Sequence, residues 1–171
     1  MSDMNASMVE TTGSSEYVED TLHGKFLVFT LDSQRFSIAI AHVIDIINMQ
    51  SITRVPNCPD YISGITNLRG KVIPIIDLRL RFGKMPQETN DRTCIIVLEQ
   101  MNMQVGIVVD SVSEVINMPD ENISPPPSYN SSSESRFIEG VGRVGADIYL
   151  LLNCVEVLGH DFMEDLHDED D

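Results

Sequence analysis

Val43-Ile44-Asp45-Ile46-Ile47-Asn48-Met49 returns 69 positions later as Val112-Ser113-Glu114-Val115-Ile116-Asn117-Met118. With the same offset, Phe26-Leu27-Val28-Phe29 falls on Ile95-Ile96-Val97-Leu98, and Phe36 to Ile40 falls on Val105 to Val109. Further on, Tyr61-Ile62-Ser63-Gly64-Ile65 matches Phe137-Ile138-Glu139-Gly140-Val141 at an offset of 76, so the second copy carries seven extra residues between Met118 and Phe137. Two similar units of this size imply two similar small subdomains.

Each copy has the same plan. Phe26 to Leu31 is a strongly apolar strand, and Arg35 to Ile40 alternates with Phe36, Ile38 and Ile40 on one face, which predicts a half-buried hairpin. Ala41 to Ile47 suits a turn of helix and then a short strand. Pro56 and Pro59 bracket a loop, because proline interrupts a sheet ladder. A second hairpin runs from Ile62 to Leu68, turns at Arg69-Gly70 and returns from Lys71 to Ile76. Asp77 to Phe82 suits a short helix capped by Asp77, and residues 83–91 connect the halves.

The second copy repeats this with Cys94 to Leu98, Gln104 to Val109 and the hairpin Phe137 to Leu152, closed by Asn153 to Leu158. Its insert, with Pro125-Pro126-Pro127 and Ser131-Ser132-Ser133, suits an exposed loop. Many short strands with Gly and Pro turns favour small closed β-barrels, one per repeat, with exchange of a first strand between units left open. The expected organisation is one folded block over residues 23–158, divided near 23–85 and 91–158, between acidic tails at 1–22 and 159–171.

The formal charge of −16 belongs largely to those tails, which hold five and seven acids and no Lys or Arg. Residues 23–158 carry 15 acids against 11 bases. The tails suit disordered, solvated chain, and no basic stripe exists to displace counterions from nucleic acid. Cys58, Cys94 and Cys154 are odd in number and far apart, so reduced thiols are expected, with Cys94 and Cys154 buried. The first residues are acidic and polar, unlike a secretory signal, and no apolar run approaches the ~18 residues of a membrane span. The expectation is a cytoplasmic chain without direct membrane insertion.

Chemistry is sparse. His23, His42, His160 and His167 have no metal-ligand spacing, and the chain lacks a GxSxG elbow, a GxxxxGKS/T loop and HExxH. Gly140-Val141-Gly142-Arg143-Val144-Gly145 lies between strands, without the helix N-terminus that would hold a phosphate. Asp45, Asp77, Asp110 and Glu114 suit caps, turns and surface charge better than an acid–base pair. No enzyme, cofactor or metal is expected; a duplicated β-module suits the display of surfaces to other proteins.

The copies differ most at one turn. Asn67-Leu68-Arg69-Gly70-Lys71 aligns with Arg143-Val144-Gly145-Ala146-Asp147, while the apolar frame persists as Ile62 with Ile138, Val72 with Ile148 and Ile75 with Leu151. Packing is thus expected to be kept where the turn has changed. Arg69 has no cationic counterpart, whereas Asp45 has an acidic one in Glu114.

Asn67-Leu68-Arg69-Gly70-Lys71-Val72-Ile73-Pro74-Ile75-Ile76-Asp77-Leu78-Arg79 resembles the signature of the CheW-like family of bacterial chemotaxis coupling proteins. So do the segments Thr53 to Gly64, Phe26 to Phe29 and Val105 to Asp110, and the similarity covers about residues 23–158. The resemblance implies two SH3-like five-stranded β-barrels and a non-enzymatic adaptor without cofactor. It implies linkage of the cytoplasmic tips of methyl-accepting chemoreceptors to the regulatory domain of a CheA-type histidine kinase, with recruitment to membrane receptor arrays. By the same resemblance, the receptor-facing groove involves Val43, Asp45, Gly64, Asn67, Leu68, Arg69 and Gly70, and the kinase-facing surface lies near Ile52 and Val55. The family commonly has Glu where this chain has Asp45; the expectation is that the shorter carboxylate still pairs with Arg69 and fixes the turn. An adaptor in a related pathway of surface motility or development, or an enzyme of unrecognised type, are the alternatives.

Overall fold

A computed structural model of the chain describes residues 21–126 and 136–159. Nearly all of the two acidic tails and the Ser-rich part of the insert lie outside the described residues. The first copy supplies β1 (Lys25–Leu31), β2 (Gln34–Ala39), β3 (Val43–Asn48), β4 (Ile62–Leu68) and β5 (Lys71–Asp77). The second supplies β6 (Cys94–Gln100), β7 (Met103–Val109), β8 (Ser111–Asn117), the two-residue β9 (Ile123–Ser124), β10 (Ile138–Val144) and β11 (Asp147–Leu152). Two short helices follow the last hairpins, α1 (Leu78–Arg81) and α2 (Cys154–Leu158). Asp77 caps α1 through the amides of Arg79 and Leu80, and its counterpart Asn153 caps α2 through that of Glu156. A 3-10 turn at Ile40–His42 leads into β3, as expected for that segment.

The strands form two sheets, ordered β8-β1-β2-β11-β10-β9 and β3-β6-β7-β5-β4. Each draws on both copies: the β1–β2 hairpin joins strands of the second copy, and β6–β7 joins strands of the first. The joins are equivalent. Leu151 lies opposite Ser37 across the parallel β11–β2 pair, and Ile75 lies opposite Gly106 across β5–β7. The fold is mainly β, two SH3-like units of five principal strands.

Burial explains why the hairpins cross over. One core cluster, inside the first sheet, contains Phe26, Val28, Tyr149 and Leu151; its counterpart inside the second contains Ile95, Val97, Ile73 and Ile75. These residues match one another position for position under the two offsets. The alternate residues of the same strands, Leu27, Phe29 and Leu31 with Ile96 and Leu98, enter a third and larger core shared by both units. β1 and β6 are therefore apolar on both faces, which explains their continuous hydrophobic runs. At about 1.5–3 kcal/mol for each large apolar side chain buried, the shared core is what binds the units into one body. A row of rings runs through it, Phe29 to Phe36 to Phe82 to Phe137, with centroids 5.3–5.6 Å apart.

Polar clamps close the shared core. Arg79 donates through Nε and Nη2 to both oxygens of Asp110, and Asp110 Oδ2 also accepts the amide of Asp32 at the tip of the β1–β2 hairpin. Burial alone would raise the Asp110 pKa, but the Arg79 hydrogen bond, the Asp32 amide and the Arg79 charge together hold it below the ordinary carboxylate value. Arg81 donates to the carbonyls of Val157 and Glu156 near the end of α2 and lies 4.1 Å over the Tyr61 ring.

One expectation is corrected. Val72 and Ile148 do not belong to the packed frame: they are 63% and 55% exposed. Their strands alternate, so keeping the apolar type at both places leaves an outward face that packing does not explain.

Candidate functional site

The second sheet curls until its two edge regions meet. Asp45, on edge strand β3, lies beside the turn that ends edge strand β4: Arg69 Nη2 is 3.0 Å from Asp45 Oδ2. Asp45 Oδ1 accepts the amide of Ile46, which holds the carboxylate against its own strand. The Arg69–Asp45 contact is an ion pair without an aligned hydrogen bond, since Asp45 Oδ2 has no such donor among the described residues. Arg69 is 79% exposed and Asp45 25%, so the anion is fixed and the cation stands in solvent. Such a pair adds about 0–1 kcal/mol to stability.

The turn itself is held in an unusual backbone. Arg69 has φ 52° and Gly70 φ 86°, the left-handed pair that a two-residue hairpin needs to follow strand twist. Asn67 Oδ1 accepts the amide of Gly70 across it. Glycine fits such positions easily, while a residue with a Cβ is disfavoured there. The second copy has Gly145 at the Arg69 position, with φ 62°. Arginine in the first copy therefore occupies a place where glycine is locally easier. Glu114, the counterpart of Asp45, is exposed and has no ion-pair partner among the described residues. The asymmetry found in the sequence is an asymmetry of charge display in space.

The other expected residues divide. Val43, Asp45 and Leu68 are half-buried, and Asn67, Arg69 and Gly70 are exposed on the turn. Gly64 is buried. A Cβ there would stand 2.1 Å from the Thr53 carbonyl oxygen, and Gly64 has φ 146°. Its place is structural first: it admits the 50–55 segment, which bridges to β4 through the Thr53–Ile65 backbone hydrogen bonds of 2.8 and 2.9 Å. Ile52 packs against the inner core of this unit, and Val55 is half-buried in the following loop. A groove of about 430 Å³ runs beside the turn, lined by Gln50, Ser51, Ile65, Asn67 and Val72.

Sequence reasoning missed the exposed apolar side chains beside these residues: Ile44 and Ile46 on β3, and Val72 on β5. The signal was present. Val43 to Ile47 is apolar on both faces of its alternation, and only one face of an edge strand has a core to enter.

Of the four carboxylates singled out in the sequence, Asp77 is engaged as a cap and Asp110 by Arg79. The glycines of β10 also have packing reasons. A Cβ at Gly140 would press on the Ser124 carbonyl at 3.1 Å, and one at Gly142 would meet the Met118 sulfur at 2.3 Å. Cys94 and Cys154 are buried, as expected, and burial pushes the Cys154 thiol up to about 12. Among the described residues no group of His, Cys, Asp and Glu is placed to hold a metal, and no helix is long and apolar enough to cross a membrane.

The CheW-like domain family model matches residues 25–162. The chain belongs to the CheW-like family. A chemotaxis protein CheW of Klebsiella aerogenes is 36% identical over 149 residues, covering 87% of this chain and 90% of that one. A chemotaxis protein CheW of Helicobacter pylori is 28% identical over 162 residues, covering 95% and 98%. The solved structure of the scaffolding protein TtCheW of Thermoanaerobacter tengcongensis superposes with a TM-score of 0.75 at 32% identity, over 81% of this chain and 94% of that one. These CheW-like relatives span both units, so the duplication and the charged turn belong to one domain.

Proposed function

We propose that this chain is a chemotaxis coupling adaptor that joins the cytoplasmic tips of chemoreceptors to the regulatory domain of a CheA-type histidine kinase and has no catalytic activity of its own. Its place of work is the cytoplasmic face of membrane receptor arrays. The observation that carries this reading is the Arg69 turn: an exposed guanidinium, tethered by Asp45 at a left-handed backbone position, in a CheW-like chain. The receptor-facing surface comprises Val43, Asp45, Asn67, Leu68, Arg69 and Gly70, with Gly64 shaping it from beneath. Ile52 and Val55 belong to the kinase-facing side, where the 50–55 segment crosses β4.

An adaptor without chemistry acts by linkage. Holding receptor and kinase at once raises the effective concentration of each for the other. Kinase output changes only as far as the adaptor binds the two kinase states differently. The test is reconstitution of the purified chain with a CheA-type kinase and a clustered receptor fragment. The wild-type chain makes kinase activity follow receptor state; Arg69→Ala binds the kinase yet loses most of that dependence. Full coupling by Arg69→Ala refutes the assignment.

A further inference from the structure

The exchange of hairpins is reciprocal, so the two units face each other about an approximate internal twofold axis, and equivalent residues meet only near it. Arg81 stands at that place. Its guanidinium lies 4.1 Å over the Tyr61 ring and 5.0 Å over that of Phe137, and these two residues are each other's counterparts. Its Nε donates at 2.8 Å to the carbonyl of Val157, which is the counterpart of Arg81 itself, and its Nη2 donates at 3.1 Å to that of Glu156. Arginine often bonds the last carbonyls of a helix in this way. Val157 is fully buried, so near the axis one guanidinium reaches from the first unit into the second without a matching return. On its own side Arg81 holds a strand entry. Tyr61 closes the loop that leaves the 50–55 segment at Pro56 and leads into β4, and its carbonyl accepts the amide of Asp77 at 2.8 Å.

We propose that Arg81 is a positioning residue for kinase binding: by tying Tyr61 to the last turn of α2, it makes the second unit hold the loop beyond Ile52 and Val55 in its binding pose. This inference rests on the coupling reading, in which that side faces the kinase. A planar fork stacked on a ring and bonded to two carbonyls has one geometry, and a lysine ammonium does not reproduce it. The second unit also has a handle on the guanidinium. A Cβ at Gly159 would stand 2.9 Å from Arg81 Nη2.

The test titrates the full chain with a CheA-type kinase and follows the Arg81 Nε–H signal by nuclear magnetic resonance. In the parent chain that proton is expected to exchange with water more slowly than its equivalent on exposed Arg69. Arg81→Lys is expected to weaken kinase binding roughly threefold to tenfold and to leave binding of a receptor fragment unchanged. Gly159→Ala, made in the second unit, should displace the guanidinium and weaken kinase binding likewise, and the two changes together should be no worse than the stronger alone. Arg79→Ala loosens the other clamp of α1, at Asp110, and serves as the control for lost stability. It is expected to leave kinase affinity within about twofold of the parent. Equal losses for Arg79→Ala and Arg81→Lys would show that stability alone is at work and overturn the proposal. So would unchanged affinity in Arg81→Lys, or an Arg81 proton that exchanges as fast as that of Arg69. A parent chain that binds no kinase would defeat the coupling reading itself, and this inference with it.

Discussion

Replacing Arg69 by glycine separates the two things the turn does. At φ 52° a residue with a Cβ bears a left-handed steric cost of about 1–2 kcal/mol, which glycine relieves. Against that, glycine orders a freer unfolded chain, at about 0.5–1 kcal/mol, and the lost pair with Asp45 takes away about 0–1 kcal/mol more. The opposing effects leave Arg69→Gly within about 1.5 kcal/mol of the parent, a shift of at most roughly 0.5–1.5 M in urea midpoint for a slope of about 1–3 kcal/mol/M. Coupling is expected to fail all the same, because the guanidinium is gone from the display position. Urea unfolding and the reconstituted kinase assay, run on one preparation, decide the matter. A stability loss above about 2 kcal/mol would show that the arginine is a structural element of the turn, and intact coupling would show that it is not a contact at all.

Gly64→Ala should cost about 3 kcal/mol or more, since the new methyl meets the Thr53 carbonyl and the backbone at φ 146° resists it; thermal unfolding measures this, and an unchanged Tm would contradict the packing. Arg79→Ala strips Asp110 of both guanidinium bonds and should destabilise the chain by about 2–3 kcal/mol at neutral pH. Because the folded Asp110 pKa is lowered, its contribution is full above the unfolded value of about 3.9 and is lost as pH falls through the folded value. The parent should therefore weaken below about pH 4 more steeply than Arg79→Ala, as acid titration of unfolding would show. A thiol reagent at mild alkaline pH should label half-buried Cys58 first and leave Cys154 unreacted in the native chain, by peptide mapping, since burial pushes the Cys154 thiol up to about 12.

Much of this architecture was legible in the order of residues. The echo of Val43 to Met49 and the cap at Asp77 each have a local cause, and local causes survive translation into structure; the alternation from Phe36 suggested a half-buried strand, yet Ser37 on its other face is fully buried too, because the strand lies between two cores. The partner of each hairpin was not legible. Whether β1 lies beside β8 or β3 depends on which assembly buries both of its faces, and that is a property of the whole core. Val72 and Ile148 misled for a related reason: an apolar residue repeated in both copies looks like packing, yet both stand outside. At the candidate site, Arg69 stood out through its missing counterpart and was assigned by the family resemblance, while Ile44 and Ile46 passed unnoticed inside a run whose apolar character already had an explanation.

The duplication also bears on how such a chain transmits a change. Because the Phe29–Phe36 hairpin of one copy sits among strands of the other, neither unit can rotate without disturbing the ring stack and the Arg79–Asp110–Asp32 clamp. Packed interiors of this kind have low compressibility and transmit strain. In the function proposed above, a load at the Arg69 turn would meet β4, β5 and α1 in sequence, and α1 joins the second unit through Arg79 and Arg81. What the copies share supplies the rigid body, and in that proposed function the Arg69 turn, which has no cationic counterpart in the second copy, supplies its direction. A chain with glycine at both turns would keep the body and lose the polarity on which coupling between unlike partners depends.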